Sequence, residues 1–168
     1  MLISKKMNAA LNEQIGHEFG ASLQYVAIAC HFAQDGLGAL AEHFFKQSAE
    51  ERDHAMRFVK YVVEAGGQVE IPAVPAPEST FKSAEEAVKL SLDWEMTVTK
   101  QVNSLVNLAI QESDHLAHHK LMWFVEEQLE EVSSMENLLK AVQRAGEKNL
   151  ICVEQYVLPL RNKAGAAG

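Results

Sequence analysis

The chain has 168 residues, 48% of them hydrophobic, and a formal net charge of −8, which allows one domain spanning 1–168 with a full core and leaves little room for two. The acidic excess argues against nucleic acid or an anionic membrane as partner and suits a protein that attracts cations. No apolar run approaches the ~20 residues of a membrane span, and Cys30 and Cys152, with no CxxC pair and no hydrophobic leader, fit a reducing cytoplasm.

From about residue 5 to 34 there is no proline, and core-type positions recur at three and four: Met7, Leu11, Gln14, Glu18, Ser22, Tyr25, Ala29, Phe32. This spacing predicts the first helix, stopped by Asp35-Gly36-Leu37-Gly38. A second helix is predicted over about 39–65, with its stripe at Leu40, Phe44, Ser48, Glu51, Ala55, Phe58 and Val62, closed by Gly66-Gly67. Within it Ala49-Glu50-Glu51-Arg52-Asp53-His54-Ala55 forms a charged knot. Glu51 and His54 are three apart, so on a helix they share a face and can grip one ion.

Residues 67 to 81 hold Pro72, Pro75 and Pro77 among glycine and serine, which reads as an extended connection. Fully extended, it reaches about 50 Å, against about 42 Å for a helix of some 28 residues. It can therefore run the length of a bundle and start the third helix parallel to the second. Ser83 and Glu86 read as a capping box. The third helix follows over about 82–111, with its stripe at Val88, Leu92, Glu95, Thr99, Val102, Val106 and Ala109.

After a break at Glu112-Ser113-Asp114, a fourth helix is predicted over about 115–145, with Ala117, Leu121, Phe124, Gln128, Glu131, Met135, Leu138 and Val142 on its stripe. A short fifth helix, about 150–158, is expected to stop at Pro159, leaving a frayed tail over 160–168.

Glu18, Glu51, Glu95 and Glu131 all fall near the middle of their helices, and neighbours of similar length place their midpoints at one level. Four carboxylates, with His54 and Gln128, therefore converge on one core layer. Ionised, they would cost about several kcal/mol each, so protons or cations must neutralise them. Hard oxygen donors with one imidazole suit iron, manganese or zinc, and glutamates with a Glu-x-x-His pair inside a four-helix bundle are a recurrent dinuclear metal arrangement.

A single glutamate on an apolar stripe is more often a boundary residue whose head reaches water; four at one level reverse that reading. Tyr25 is read as a core tyrosine or a neighbour of the metal layer, and Trp123 as packing. Glu50, Glu127 and Glu130 each adjoin a stripe residue and are read either as solvated acids or as an accessory metal position. A second Glu-x-x-His, Glu112 to His115, lies about 25 Å along the axis from Glu95 and belongs to the bundle end. His115, His118 and His119 cluster there, exposed, weakly metal-binding or lining a pore.

The sequence resembles the bacterial non-haem ferritins over nearly its whole length. The likeness is carried by Asn12-Glu13-Gln14-Ile15, the run from Glu18 to Tyr25, the run from Glu50 to Ala55, and the run from Trp123 through Gln128 to Glu131. The resemblance implies an all-α, ferritin-like four-helix bundle with one long crossover and a short C-terminal helix. It also implies a ferroxidase centre that oxidises Fe2+ to Fe3+ with O2 or H2O2. It places one iron on Glu18, Glu51 and His54, and a second on Glu51, Glu95 and Glu131 with Gln128 near, so that Glu51 bridges. Glu50, Glu127 and Glu130 match a third iron position, and Tyr25 matches the tyrosine beside the two irons. Iron storage and detoxification in a shell of 24 subunits in the cytoplasm follow from the same resemblance, the fifth helix being of the kind that lines the four-fold axes.

Bacterioferritins are similar but carry a second Glu-x-x-His where this chain has Glu127 and Glu130, and their haem methionine falls at Arg52, so haem is not expected. The acidic three-fold lining of animal ferritins falls at His118 and Leu121. Two other readings are a diiron oxidase or peroxidase on the same bundle with no storage role, and a helical interaction protein whose acids are surface residues.

Overall fold

A computed structural model describes the chain over residues 2–164. It holds α1 (Lys5–Gln34), α2 (Gly38–Glu64), α3 (Ala84–Gln111), α4 (His115–Ala145) and, after a single 3₁₀ turn at Glu147–Asn149, α5 (Leu150–Ala164). There is no strand among the described residues. The starts follow local chemistry. Ser4, Ser83 and Asp114 each accept a hydrogen bond from the backbone N–H three residues on, satisfying a donor that the first helical turn leaves open. Gly36, at φ +75°, turns the chain out of α1.

α1 and α2 form one antiparallel pair and α3 and α4 another. The Leu2 N–H bonds the Ala65 carbonyl at 2.7 Å, so α2 ends beside the start of α1. The crossover then climbs α1 in the direction of its chain. Asn8 and Asn12 both donate to the Gln68 carbonyl, Asn12 accepts from the Glu70 N–H, and Gln24 both donates to and accepts from Glu78. Pro72 seats against Gly16, where a Cβ would fall inside the contact distance of its ring. Steps of four residues, Asn8, Asn12, Gly16, Gly20 and Gln24, thus make a track along one face of α1. Side chains on this track satisfy backbone groups of the extended strap, and α3 starts parallel to α2 as the connection length allows.

The stripes on α1, α2 and α4 are buried throughout. On α3, Leu92, Thr99 and Val106 are only half-buried, and Ser91, Val98 and Leu105 take the core instead. The core is split in two. One half contains Met7, Leu11, Phe58, Val102 and Phe124; the other contains Tyr25, Phe32, Phe44, Met135 and Leu138.

The expected stop at Pro159 is corrected, since α5 continues to Ala164. Proline fixes φ at about −65°, a helical value, so although it removes its own N–H from the ladder and crowds the carbonyl four residues back, it does not by itself force the chain out of the helix. Part of the segment expected to fray is therefore helical, and 165–168 lie outside the described residues. α5 packs at the α2 start, where Glu154 Oε1 accepts from the N–H groups of Ala39 and Leu40, at 2.6 and 3.0 Å. That carboxylate answers the open donors and positive end of the α2 N-terminus.

Candidate metal centre

Between the two core halves lies a polar layer. α1 contributes Glu18, α2 Glu51 and His54, α3 Glu95, and α4 Gln128 and Glu131, all of them buried. Glu18 and Glu51 are each 1% exposed and Glu95 is 0% exposed, so water cannot neutralise them. Each occupies a position of the apolar helix stripe except His54, which lies one turn beyond Glu51 and beside the stripe residue Ala55. The fold that buries the flanking Leu, Phe and Met residues buries the acids with them.

The carboxylates differ in what holds them. Glu95 is engaged on both oxygens: Tyr25 donates its hydroxyl hydrogen to Oε1, and Gln128 Nε2 donates to Oε2 at 3.1 Å. Gln128 also reaches the Glu95 carbonyl and Thr99 Oγ1. Glu18 takes one hydrogen bond, from Gln14 Nε2 to Oε1 at 2.9 Å. Glu51 Oε2 lies 3.3 Å from His54 Nδ1. Glu18 Oε2 and Glu51 Oε1 are buried and meet no donor. Unpaired oxygens of this kind are costly unless something else supplies the positive partner.

The potential of the layer is strongly negative. Burial, and then the neighbouring Glu51, push the Glu18 carboxyl well above the usual carboxylate range, so that it keeps its proton when no cation is bound. Burial, then Glu95, raises Glu51, and burial raises Glu95 against the lowering effect of the Tyr25 and Gln128 donors. Glu131 is pushed up to about 9 by burial, then by Glu51 and Glu95. Tyr25 rises for the same reasons, burial first and Glu95 second. Without cations the layer stores protons, which a cation would have to displace to bind here.

Two groups of donors converge tightly enough for an ion. Glu18, Glu51 and His54 each bring an atom within 4.8 Å of the others, as do His54, Glu127 and Glu131. Oxygen donors with one imidazole suit first-row divalent ions, and the two unpaired oxygens, one from Glu18 and one from Glu51, fit such an ion better than they fit a dry core. Glu95 stands outside both groups, its oxygens occupied by Tyr25 and Gln128.

Of the accessory acids, Glu127 is half-buried, with an oxygen 3.9 Å from His54 Nε2. Glu50 bonds Gln47 and lies 3.5 Å from Lys46, and Glu130 is exposed. Burial first, then Glu130 and Glu50 after the opposing His54, raise the Glu127 carboxyl, so the three acids share one electrostatic neighbourhood.

The second Glu-x-x-His is placed at the bundle end, as its level predicts. Glu112 accepts from Ser4 Oγ at 2.7 Å. His115 and His119 are exposed, and none of the three histidines joins a metal-competent group among the described residues. Trp123 packs as expected, its ring edge-on to His54 with Arg57 lying 3.9 Å over its face.

Gln14, read from sequence as a stripe position and part of the family-like run but not as a site residue, and Gln101, not read at all, both adjoin the layer. The four-residue spacing of Gln14 and Glu18 is the signal that could have found the first; the second depends on α3 packing against α1.

A family model for a ferritin-like domain, named Ferritin, matches residues 8–145. Ferritin BfrB of Mycolicibacterium smegmatis is 41% identical over 164 residues, covering 98% of this chain and 90% of the relative. The bacterial non-heme ferritin of Staphylococcus aureus is 34% identical over 146 residues, covering 87% and 88%. Among solved structures, an open pore ferritin from the hyperthermophilic archaeon Archaeoglobus fulgidus superposes with a TM-score of 0.90 at 34% identity, covering 93% of this chain and 96% of that one. The split core, the buried acid layer and these similarities agree, and the chain belongs to the ferritin family.

Proposed function

We propose that this protein stores and detoxifies iron in the cytoplasm by oxidising Fe2+ to Fe3+ at a two-iron site within each subunit, the product mineralising inside a shell of 24 copies. Iron is the substrate and cargo: two Fe2+ ions supply the two electrons that reduce O2 to H2O2, or H2O2 to water. Glu18, Glu51 and His54 would hold one ion. Glu51, Glu95 and Glu131 would hold the other, with Gln128 beside it, so that Glu51 serves both. Glu50, Glu127 and Glu130 would form a third position, His54 Nε2 and a Glu127 oxygen already lying 3.9 Å apart.

The observation that carries this reading is the pair of buried, unpartnered carboxylate oxygens on Glu18 and Glu51 beside His54. The acids provide negative charge for an ion that gains positive charge on oxidation. Tyr25 holds one Glu95 oxygen and supplies a hydroxyl within the layer. The shell rests on family membership and on the similarity to the Archaeoglobus fulgidus ferritin.

The test is anaerobic Fe2+ titration followed by an oxygen pulse, with particle size measured throughout. Two tightly bound Fe2+ per subunit, rapid oxidation and a large iron-filled particle are expected. Glu51→Ala should reduce the fast phase by ~100-fold or more, in line with loss of a ligand shared by both ions. Unchanged oxidation in that variant would remove the reading, and particles of monomer or dimer mass after loading would remove its storage half.

A further inference from the structure

We infer that Gln14 is a positioning residue for the metal layer, holding one oxygen of Glu18 so that Glu18 turns its other oxygen to the ion. The inference rests on the reading of Glu18, Glu51 and His54 as an ion site. Gln14 precedes Glu18 by one turn of α1, and both side chains are buried, at 2% and 1% exposure. Gln14 Nε2 donates to Glu18 Oε1 at 2.9 Å. Glu18 Oε2 meets no donor, and Glu18 lies within ligand reach of Glu51 and His54. The two oxygens of one carboxylate therefore have different roles, one committed to an amide and one left for the cation.

The amide is itself held. Its nitrogen carries two hydrogens, and the second is directed to Gln101 Oε1 on α3, at 3.4 Å. Because Gln101 and Glu18 both accept, the nitrogen end of Gln14 is kept toward the layer. A carboxylate with two free oxygens can chelate an ion or rotate between monodentate modes; an accepted bond on one oxygen occupies one of its lone pairs, resists rotation and favours binding through the other oxygen.

Gln14 also has an outer side. A groove of about 410 Å³ between α1 and α3 is lined by Gln14 and Gln101 together with Glu13, His17 and Ser104. Gln14 stands between this solvent-facing groove and Glu18, so the same side chain that orients the carboxylate keeps water off it from that side.

The test uses Co2+ added anaerobically to the metal-free full-length protein, read by calorimetry and by visible absorption, which reports coordination number and needs no turnover. Gln14→Met keeps the volume and removes the donor. Gln14→Asn stays polar but is one methylene too short to reach Glu18. Both should bind Co2+ about 10-fold or more weakly at the Glu18-dependent position, with altered absorption there. Gln101→Met should show a smaller loss of the same kind, because it leaves the Gln14 to Glu18 bond in place.

Glu18→Ala identifies that position by removing it. Wild-type affinity and spectrum in a folded Gln14→Met or Gln14→Asn protein overturn the positioning role while leaving the ion site intact. Unchanged Co2+ binding in Glu18→Ala overturns the ion site, and the positioning role with it.

Discussion

Glu51 Oε2 faces His54 Nδ1 at 3.3 Å one turn along α2, while the other Glu51 oxygen is buried without a partner. One carboxylate is thus turned toward two neighbours, the imidazole on its own helix and the acids of the others. Its surroundings make protonation and cation binding exclusive alternatives, and that competition sets the first expectations.

Divalent cations should displace protons from the layer. Burial raises Glu18, Glu51 and Glu95, and lifts Glu131 to about 9, so the metal-free carboxyls carry protons that an ion must expel. Zn2+ binding measured by calorimetry in two buffers of different ionisation enthalpy should give different heats, corresponding to about one or more protons released per ion. Affinity should rise between pH 5.5 and 7.5. Equal heats in both buffers would show the acids to be ionised already.

Stability of the metal-free protein should fall as pH rises. For Glu131 the unfolded carboxyl ionises near 4.5 and the folded one near 9. Across that window the folded state binds the extra proton, so raising pH favours unfolding. The stabilisation is complete below pH 4.5 and gone above about 9. Thermal denaturation from pH 5 to 9 should show a declining Tm. Glu131→Gln, which cannot ionise, should flatten the decline, and a wild-type Tm that rises over this range contradicts the assignment.

The strap on α1 should be sensitive at its closest approach. Gly16→Ala places a methyl against the Pro72 ring, which must shift with the backbone it belongs to. An overpacking cost of about 1–3 kcal/mol is expected, seen as a Tm lower by roughly several degrees. Co2+ stoichiometry should stay at the wild-type value, since the layer is held by helix packing and not by the strap.

Glu112→Ala with His115→Ala should leave Co2+ and Fe2+ stoichiometry unchanged. Glu112 accepts from Ser4 at the bundle end, far from the layer, and its exposed bond contributes little to stability. Loss of a tightly bound ion in this variant would mean that the second Glu-x-x-His is a site after all.

Much of this was legible in the sequence because the helices carry their own period. Stripes spaced by three and four located α1 to α4 with nearly their observed ends, and the proline-rich connection was long enough to allow a third helix parallel to the second. Four mid-helix glutamates gave the layer, since only length and direction were needed to place them at one level. The sequence pattern on α3 was less decisive: Leu92, Thr99 and Val106 continue an acceptable stripe, and the rotation that buries Ser91, Val98 and Leu105 instead depends on how α3 meets its neighbours.

Pro159 shows the limit of a local rule, because a helix that loses one donor can continue where its remaining bonds hold. What the tertiary structure alone decided is the bonding inside the layer. Equal glutamates in the sequence become unequal in the fold: Glu95 is held on both oxygens by Tyr25 and Gln128, Glu18 on one by Gln14, and Glu51 turns one oxygen to His54 and leaves the other unpaired. The Gln14 to Glu18 and Glu51 to His54 contacts follow one-turn spacings, but the Glu95 bonds depend on side chains arriving from α1 and α4, and no spacing within α3 encodes where those end.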